Sequence, residues 1–216
     1  MHVNRPVPAK VICCGLNYAD HIAETGRETP AYPTLFAKYA DTLVGPDADI
    51  VVPAGCELDW EAELAVVIGA EVRSADRDRA RKAIAGYAVA NDISLRDWQR
   101  RTLQWFQGKA WDHTTPISDH YVSADEVDPT AGLDIVCRVN GEVRQSSNTR
   151  ELVFDSADLV AYISTFTRLS PGDIVLTGTP GGVGLGMTPP LYLSAGDVVD
   201  TVIEGIGSLS NRVVCR

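Results

Sequence analysis

One stretch constrains this chain more than any other: Leu58-Asp59-Trp60-Glu61-Ala62-Glu63-Leu64-Ala65-Val66-Val67-Ile68-Gly69. It is short, apolar and β-prone toward its end, so it reads as a strand. Side chains on a strand alternate between two faces. Trp60, Ala62, Leu64, Val66 and Ile68 then share one face, and Asp59, Glu61, Glu63, Ala65 and Val67 the other. From Leu64 onward both faces are apolar, which predicts burial on both sides. Glu61 and Glu63 thus stand side by side where a buried strand enters the protein. Two carboxylates at i and i+2 repel each other, and a divalent cation or a proton would relieve that. A solvated acidic strand end produces the same pattern, since surface carboxylates are common.

The sequence around this stretch supplies further chemistry. Ser74 reads as an N-cap for a helix over Ala75–Ala85, stopped by Gly86. Tyr87 to Asp92 reads as another buried strand. Strand, helix and strand in this span predict a βαβ unit. With its strands as parallel neighbours, Asp92 would approach Glu61 and Glu63. Upstream, Lys10–Gly15 is a short strand, and Ala19–Gly26 is one or two helical turns closed by glycine. His21 and Glu24 lie three apart on that turn, within reach of each other. A carboxylate beside an imidazole fixes its tautomer and raises its basicity, although surface His–Glu pairs have the same spacing. Leu35–Lys38 is a short apolar patch. Lys109 falls between Trp105 and Trp111.

The second half is strand-rich, with Asn140-Gly141 as a hairpin turn and a helix over Ser156–Phe166. Thr179 to Gly184 is glycine-rich but lacks the Lys-Ser/Thr of a phosphate-binding loop. Its glycines would let backbone N–H groups approach an anion such as a carboxylate.

The chain has 216 residues, enough for one substantial domain over 1–216 with its own core. A net charge of −10 argues against nucleic acid or an anionic membrane as partner. Five scattered cysteines with no C-x-x-C pair argue against a disulfide framework or a zinc site and fit a reducing compartment, the cytoplasm. Residues 1–8 hold no signal-peptide apolar core, and no apolar run is long enough to span a membrane.

Taken together and in order, Gly15 to Gly26, Leu58 to Gly69, Asn91 to Gln99, Gly108-Lys109 and Leu176 to Gly184 resemble the fumarylacetoacetate hydrolase family. The resemblance covers nearly the whole chain. It implies an α+β fold, a mixed β-rich roll with a few short helices, in the short form without a separate N-terminal domain and usually homodimeric. It places Mg²⁺ or Mn²⁺, in some members Ca²⁺, on Glu61, Glu63 and Asp92. It makes His21 and Glu24 a catalytic dyad on a lid, sets Lys109 near the reacting carbonyl or enolate, Arg96 and Gln99 near the substrate, and Thr179 at its carboxylate. The implied activity is metal-dependent hydrolysis of a carbon–carbon bond in an acylpyruvate or related β-diketo acid, a small anionic keto acid from aromatic catabolism. Oxaloacetate decarboxylation or a related isomerisation at the same site is the alternative. A non-catalytic metal-binding protein of the same fold is a third reading. Many members have Gly-Pro where this chain has Ser118-Asp119. With few apolar anchors, residues 17–28 are expected to be mobile without substrate.

Overall fold

The computed structural model describes residues 7–216. The reading of residues 1–8 as lacking a leader core lies mostly outside the described residues. A six-stranded mixed sheet runs in the order Val122–Ser123, Ile84–Asn91, Ala62–Ile68, Ile174–Leu176, Val11–Gly15 and Thr34–Lys38. A five-stranded sheet runs Glu142–Asn148, Asp134–Val139, Val198–Ile203, Gly207–Cys215 and Ile50–Val52. Two short strand pairs, Leu43–Val44 with Thr115–Pro116 and Leu58–Asp59 with Ser94–Leu95, complete the roll. Among the described residues no helix is long and apolar enough to cross a membrane.

The alternation of Ala62–Ile68 sorts the two faces as its sequence demands. Ala62, Leu64, Val66 and Ile68 enter the main core with Ile135, Cys137, Val199 and Leu209 of the second sheet and Leu159, Val160 and Ile163 of the helix Ser156–Phe166. Ala65 faces the opposite way, into a smaller core with Cys13, Ala88, Ala90 and Leu176. Every residue of the strand is buried. The helix begins at a capping box in which Asp155 accepts from the N–H groups of Ala157 and Asp158 and Asp158 reaches back. Asn140 and Gly141 both have positive φ, 52° and 81°, which suits the twist of the hairpin they close.

Two expectations fail here. The helix is shorter than predicted, Arg77–Lys82, and its cap is Asp76, which accepts from Arg79 N–H at 2.8 Å. Ser74 has φ 47°, left-handed backbone that an N-cap residue does not adopt. The strands on either side are antiparallel rather than a parallel βαβ pair, with Ala62 opposite Asn91 and Leu64 opposite Val89. This matters for the site. In a parallel pair, Asp92 would follow the far end of the seven-residue strand Ala62–Ile68, about 20 Å from Glu61. The antiparallel register instead brings the end of one strand to the start of the other, and Asp92 N–H donates to Glu61 O at 2.8 Å.

Candidate active site

Glu61, Glu63 and Asp92 converge, each offering a carboxylate oxygen within 4.8 Å of the others, and all three are buried. Three cations surround them. Lys109 Nζ donates to Glu61 Oε2 at 2.6 Å and to Asp92 Oδ2 at 2.9 Å. Arg96 Nη2 lies 2.7 Å from Glu61 Oε1. Lys38, wholly buried at the end of Thr34–Lys38, pairs with Asp92 Oδ1. Glu63 receives a backbone donor instead, Gly178 N–H at 2.7 Å. Gly178 has φ 102°, and a Cβ there would sit 2.9 Å from Cys14 O and 3.0 Å from Asn17 Cβ, so this approach requires glycine.

The electrostatics follow from these partners. Burial pushes the Glu61 carboxyl up, but Lys109 and then Arg96 more than reverse it and hold it well below the usual carboxylate range. Glu63 is pushed well up by burial and by the neighbouring Asp92 and Glu61. Burial would lower the Lys109 ammonium, yet Asp92 and Glu61 outweigh that and raise it. Lys109 is therefore a cation, and negative charge is least compensated at Glu63. An all-oxygen set of this kind suits a hard divalent cation. Two oxygens each about 2.0–2.4 Å from one ion lie no more than about 4.8 Å apart, so the cluster has the right span.

A cavity of about 950 Å³ opens beside Glu61 and Lys109. His21, Glu24, Arg96, Gln99 and Thr179 all line it, so the predicted dyad and substrate residues share one space with Glu61, the cluster's member at the cavity wall. His21 Nδ1 is 3.0 Å from Glu24 Oε2. With Nδ1–H donating to the carboxylate, Nε2 is the basic nitrogen. Burial acts to raise the Glu24 carboxyl, but hydrogen bonds from His21 and Gly182 N–H bring it below its ordinary value. Arg96 is more committed than the sequence suggested: its Nε donates to Asp59 Oδ2 at 2.8 Å and its Nη1 to Gln99 Oε1 at 3.0 Å. Thr179 Oγ1 accepts from Gln145 Nε2 at 2.8 Å.

The glycine-rich loop does approach carboxylates, but they are the protein's own. Besides Gly178 to Glu63, Gly181 N–H donates to Asp20 Oδ1 at 3.2 Å and Gly182 N–H to Glu24 Oε1 at 3.0 Å. Gly184 and Leu185 N–H donate to the two oxygens of Asp59 at 2.7 and 3.0 Å. The dyad helix, Ala19–Glu24, is therefore anchored by polar contacts, including Ser147 Oγ to Asp20 Oδ2 at 2.7 Å. Sequence reasoning looked there for apolar anchors. It also missed Lys38 and Asp59, the first read only as part of an apolar patch and the second only as a strand-face residue. The aromatic beside Lys109 is Phe36, with Nζ 5.3 Å from its ring centre. Trp105 stands edge-on to Phe36, and Trp111 packs on Trp98. Ser118, at the departure from the family pattern, is buried and its N–H donates to Val89 O at 3.0 Å.

Residues 10–214 match the fumarylacetoacetate (FAA) hydrolase C-terminal family. The mitochondrial oxaloacetate tautomerase Fahd2a of Rattus norvegicus is 46% identical over 209 residues, 96% of this chain and 67% of that protein. The crystal structure of fumarylpyruvate hydrolase from Pseudomonas aeruginosa, in complex with Mn²⁺ and pyruvate, superposes with a TM-score of 0.87 at 34% identity, covering 97% of this chain and 91% of that one. The 5-carboxymethyl-2-hydroxymuconate delta-isomerase from Mycobacterium smegmatis superposes with a TM-score of 0.88 at 38% identity, covering 100% and 82%. A match over nearly every described residue, with a relative 46% identical across 96% of the chain, shows that this chain belongs to the fumarylacetoacetate hydrolase family.

Proposed function

We propose that the chain is a divalent-metal-dependent enzyme of 2-oxo acids, and that it interconverts the keto and enol forms of oxaloacetate. The observation that supports this most is the one cavity lined by Glu61 of the carboxylate cluster, by Lys109 and by the His21–Glu24 pair. Glu61, Glu63 and Asp92 would hold Mg²⁺ or Mn²⁺. Such an ion would act as a Lewis acid toward the 2-oxo group. His21 Nε2 takes the proton from the carbon next to the 2-oxo group, and Glu24 stabilises the imidazolium that forms. Lys109 has three N–H donors and uses two on Glu61 and Asp92. The third is available to the oxygen on which charge develops, and that oxygen then takes the proton back from the His21 imidazolium, which completes the enol and returns the base. Thr179 and Gln99 orient the substrate carboxylate. Phe36, Trp105 and Leu185 exclude water from this part of the cavity.

The likeness to an oxaloacetate tautomerase at 46% identity favours proton transfer as the reaction. A second reading, hydrolysis of an acylpyruvate, is favoured by the dyad itself, since a base able to take a carbon-bound proton can also activate water. The likeness to fumarylpyruvate hydrolase supports it too. Ultraviolet absorbance of the enol separates the two. With Mg²⁺ or Mn²⁺ the wild-type protein should speed enol–keto relaxation of oxaloacetate and consume acetylpyruvate or fumarylpyruvate much more slowly. His21→Ala should slow the relaxation about 10²–10⁴-fold. No acceleration of oxaloacetate with either metal, alongside rapid loss of an acylpyruvate, would establish the second reading in place of the first.

A further inference from the structure

The cavity holds one cation that no carboxylate of the protein engages among the described residues. Four Lys or Arg side chains line it: Arg27, Arg96, Arg100 and Lys109. Three are occupied by the protein's own carboxylates, Arg96 by Asp59 and Glu61, Arg100 by Glu57, and Lys109 by Glu61 and Asp92. Arg27 is exposed at the cavity wall and has no ion pair or side-chain hydrogen bond among the described residues.

Its place is fixed by the backbone. Gly26, at φ 65°, ends the dyad helix in a left-handed turn. Gly26 N–H donates to Ala23 O at 3.1 Å and Arg27 N–H to Ile22 O at 3.2 Å, the paired bonds of a Schellman-type stop. The same helix is anchored through Asp20 and Glu24 to the glycine-rich loop. Arg27 is therefore held at the wall three residues beyond Glu24, on the segment that carries the proton-transferring pair.

On a chain of net charge −10, an unpaired guanidinium in the one cavity that holds the dyad has a clear electrostatic consequence. The overall field repels a dianion, while a local cation attracts and orients one. The carboxylate and 2-oxo group at the head of the substrate belong to the cluster, Lys109, Gln99 and Thr179. That leaves Arg27 for an acidic group at the other end, and a guanidinium suits a carboxylate because it can donate two parallel hydrogen bonds.

We infer that Arg27 is a specificity-determining residue that recognises the distal carboxylate, so that this site selects dicarboxylic 2-oxo acids over monocarboxylic ones. The inference rests on the 2-oxo acid reading above and extends it from the head of the substrate to its tail.

The test uses two ligands of equal chain length, oxaloacetate and 2-oxobutyrate, which differ in the distal carboxylate. Their binding to the full chain is measured calorimetrically in Mg²⁺, for wild type, Arg27→Ala and Arg27→Lys. Wild type should bind oxaloacetate about ten- to a hundred-fold more tightly than 2-oxobutyrate, as expected for a charge-assisted hydrogen bond. Arg27→Ala should bring that ratio close to one, and Arg27→Lys should restore part of it. Because the Arg27 side chain is exposed and makes no hydrogen bond or ion pair among the described residues, the alanine variant should unfold at the wild-type temperature. A wild-type ratio near one, or a ratio unchanged in Arg27→Ala, overturns the inference. Discrimination that depends on Arg27 in a protein that turns over neither oxaloacetate nor an acylpyruvate upholds the recognition and overturns the proposed reaction alone.

Discussion

Asp59→Asn should be among the most damaging conservative substitutions in this chain. Asp59 is fully buried. Its Oδ1 accepts from Trp60 N–H at 2.9 Å and Gly184 N–H at 2.7 Å, and its Oδ2 from Leu185 N–H at 3.0 Å and Arg96 Nε at 2.8 Å. It thus joins the cavity wall to the arginine that charges Glu61. Asparagine keeps one acceptor oxygen but turns an NH₂ toward two donors. Breaking a buried ion pair by removing one partner costs about 3–5 kcal/mol. Arg96 retains Glu61 at 2.7 Å, so the lower end applies, and the stranded Leu185 N–H adds about 1 kcal/mol. A total of about 3–4 kcal/mol corresponds to a fall of about 6–16 °C in melting temperature for a chain of this size. Urea unfolding of wild type, Asp59→Asn, Arg96→Met and the double variant gives the coupling directly. The double variant should lose less than the sum of the singles, because the unmatched guanidinium is gone. A single-variant cost below about 1 kcal/mol, or strict additivity, would refute the reasoning.

Four further outcomes follow from the geometry. His21→Ala should lower turnover about 10²–10⁴-fold while leaving Mn²⁺ affinity as in wild type, read by steady-state kinetics beside calorimetry. Gly182→Ala asks alanine for φ 95° and sets its Cβ 2.1 Å from Arg144 O, so the loop must move and take its N–H from Glu24. Activity should fall about 10²-fold with metal binding retained. Asp155→Ala removes the cap of Ser156–Phe166 and the partner of Arg77, and should cost about 1–2 kcal/mol at neutral pH. Burial acts to raise the Asp155 carboxyl, but Arg77 and the Asp158 and Ala157 N–H groups bring it below its ordinary value. The folded chain thus releases this proton more readily than the unfolded one. The stabilisation is complete above the unfolded value of about 3.9 and drains as pH falls through the folded value, so acid melts of the alanine variant should be flatter there.

Much of the site was legible because period-2 alternation states which side chains share a face. Alternation placed Glu61 and Glu63 side by side and helical spacing placed His21 within reach of Glu24, but a solvated strand end and a surface pair fit the same spacing, and the metal and dyad roles came from the family resemblance. Asp92 was identified by a route that the structure corrects: an apolar strand ending in a carboxylate was sound evidence, but strand direction is set by tertiary pairing, and only the antiparallel pairing delivers that carboxylate to Glu61. Ser74 and Asp76 are equally good caps by residue type. Backbone at φ 47° decided against Ser74, and nothing local encodes that angle. Lys38 is a different kind of omission. A lysine closing a short apolar strand looks like a solvated end until its partner is known, and that partner, Asp92, lies 54 residues on. The glycine-rich loop announced anion-binding N–H groups, but its anions are Glu63, Asp20, Glu24 and Asp59, each more than 100 residues upstream.

Electron paramagnetic resonance of Mn²⁺ with the full chain tests the centre of this reading most directly. Wild-type protein should bind one Mn²⁺ tightly, and oxalate, which mimics a pyruvate enolate, should change the spectrum of the bound ion. Asp92→Asn should abolish tight binding by taking one charge from the ligand set. Tight Mn²⁺ binding that survives Asp92→Asn and Glu63→Gln, with a spectrum indifferent to oxalate, would contradict a cation site built on Glu61, Glu63 and Asp92.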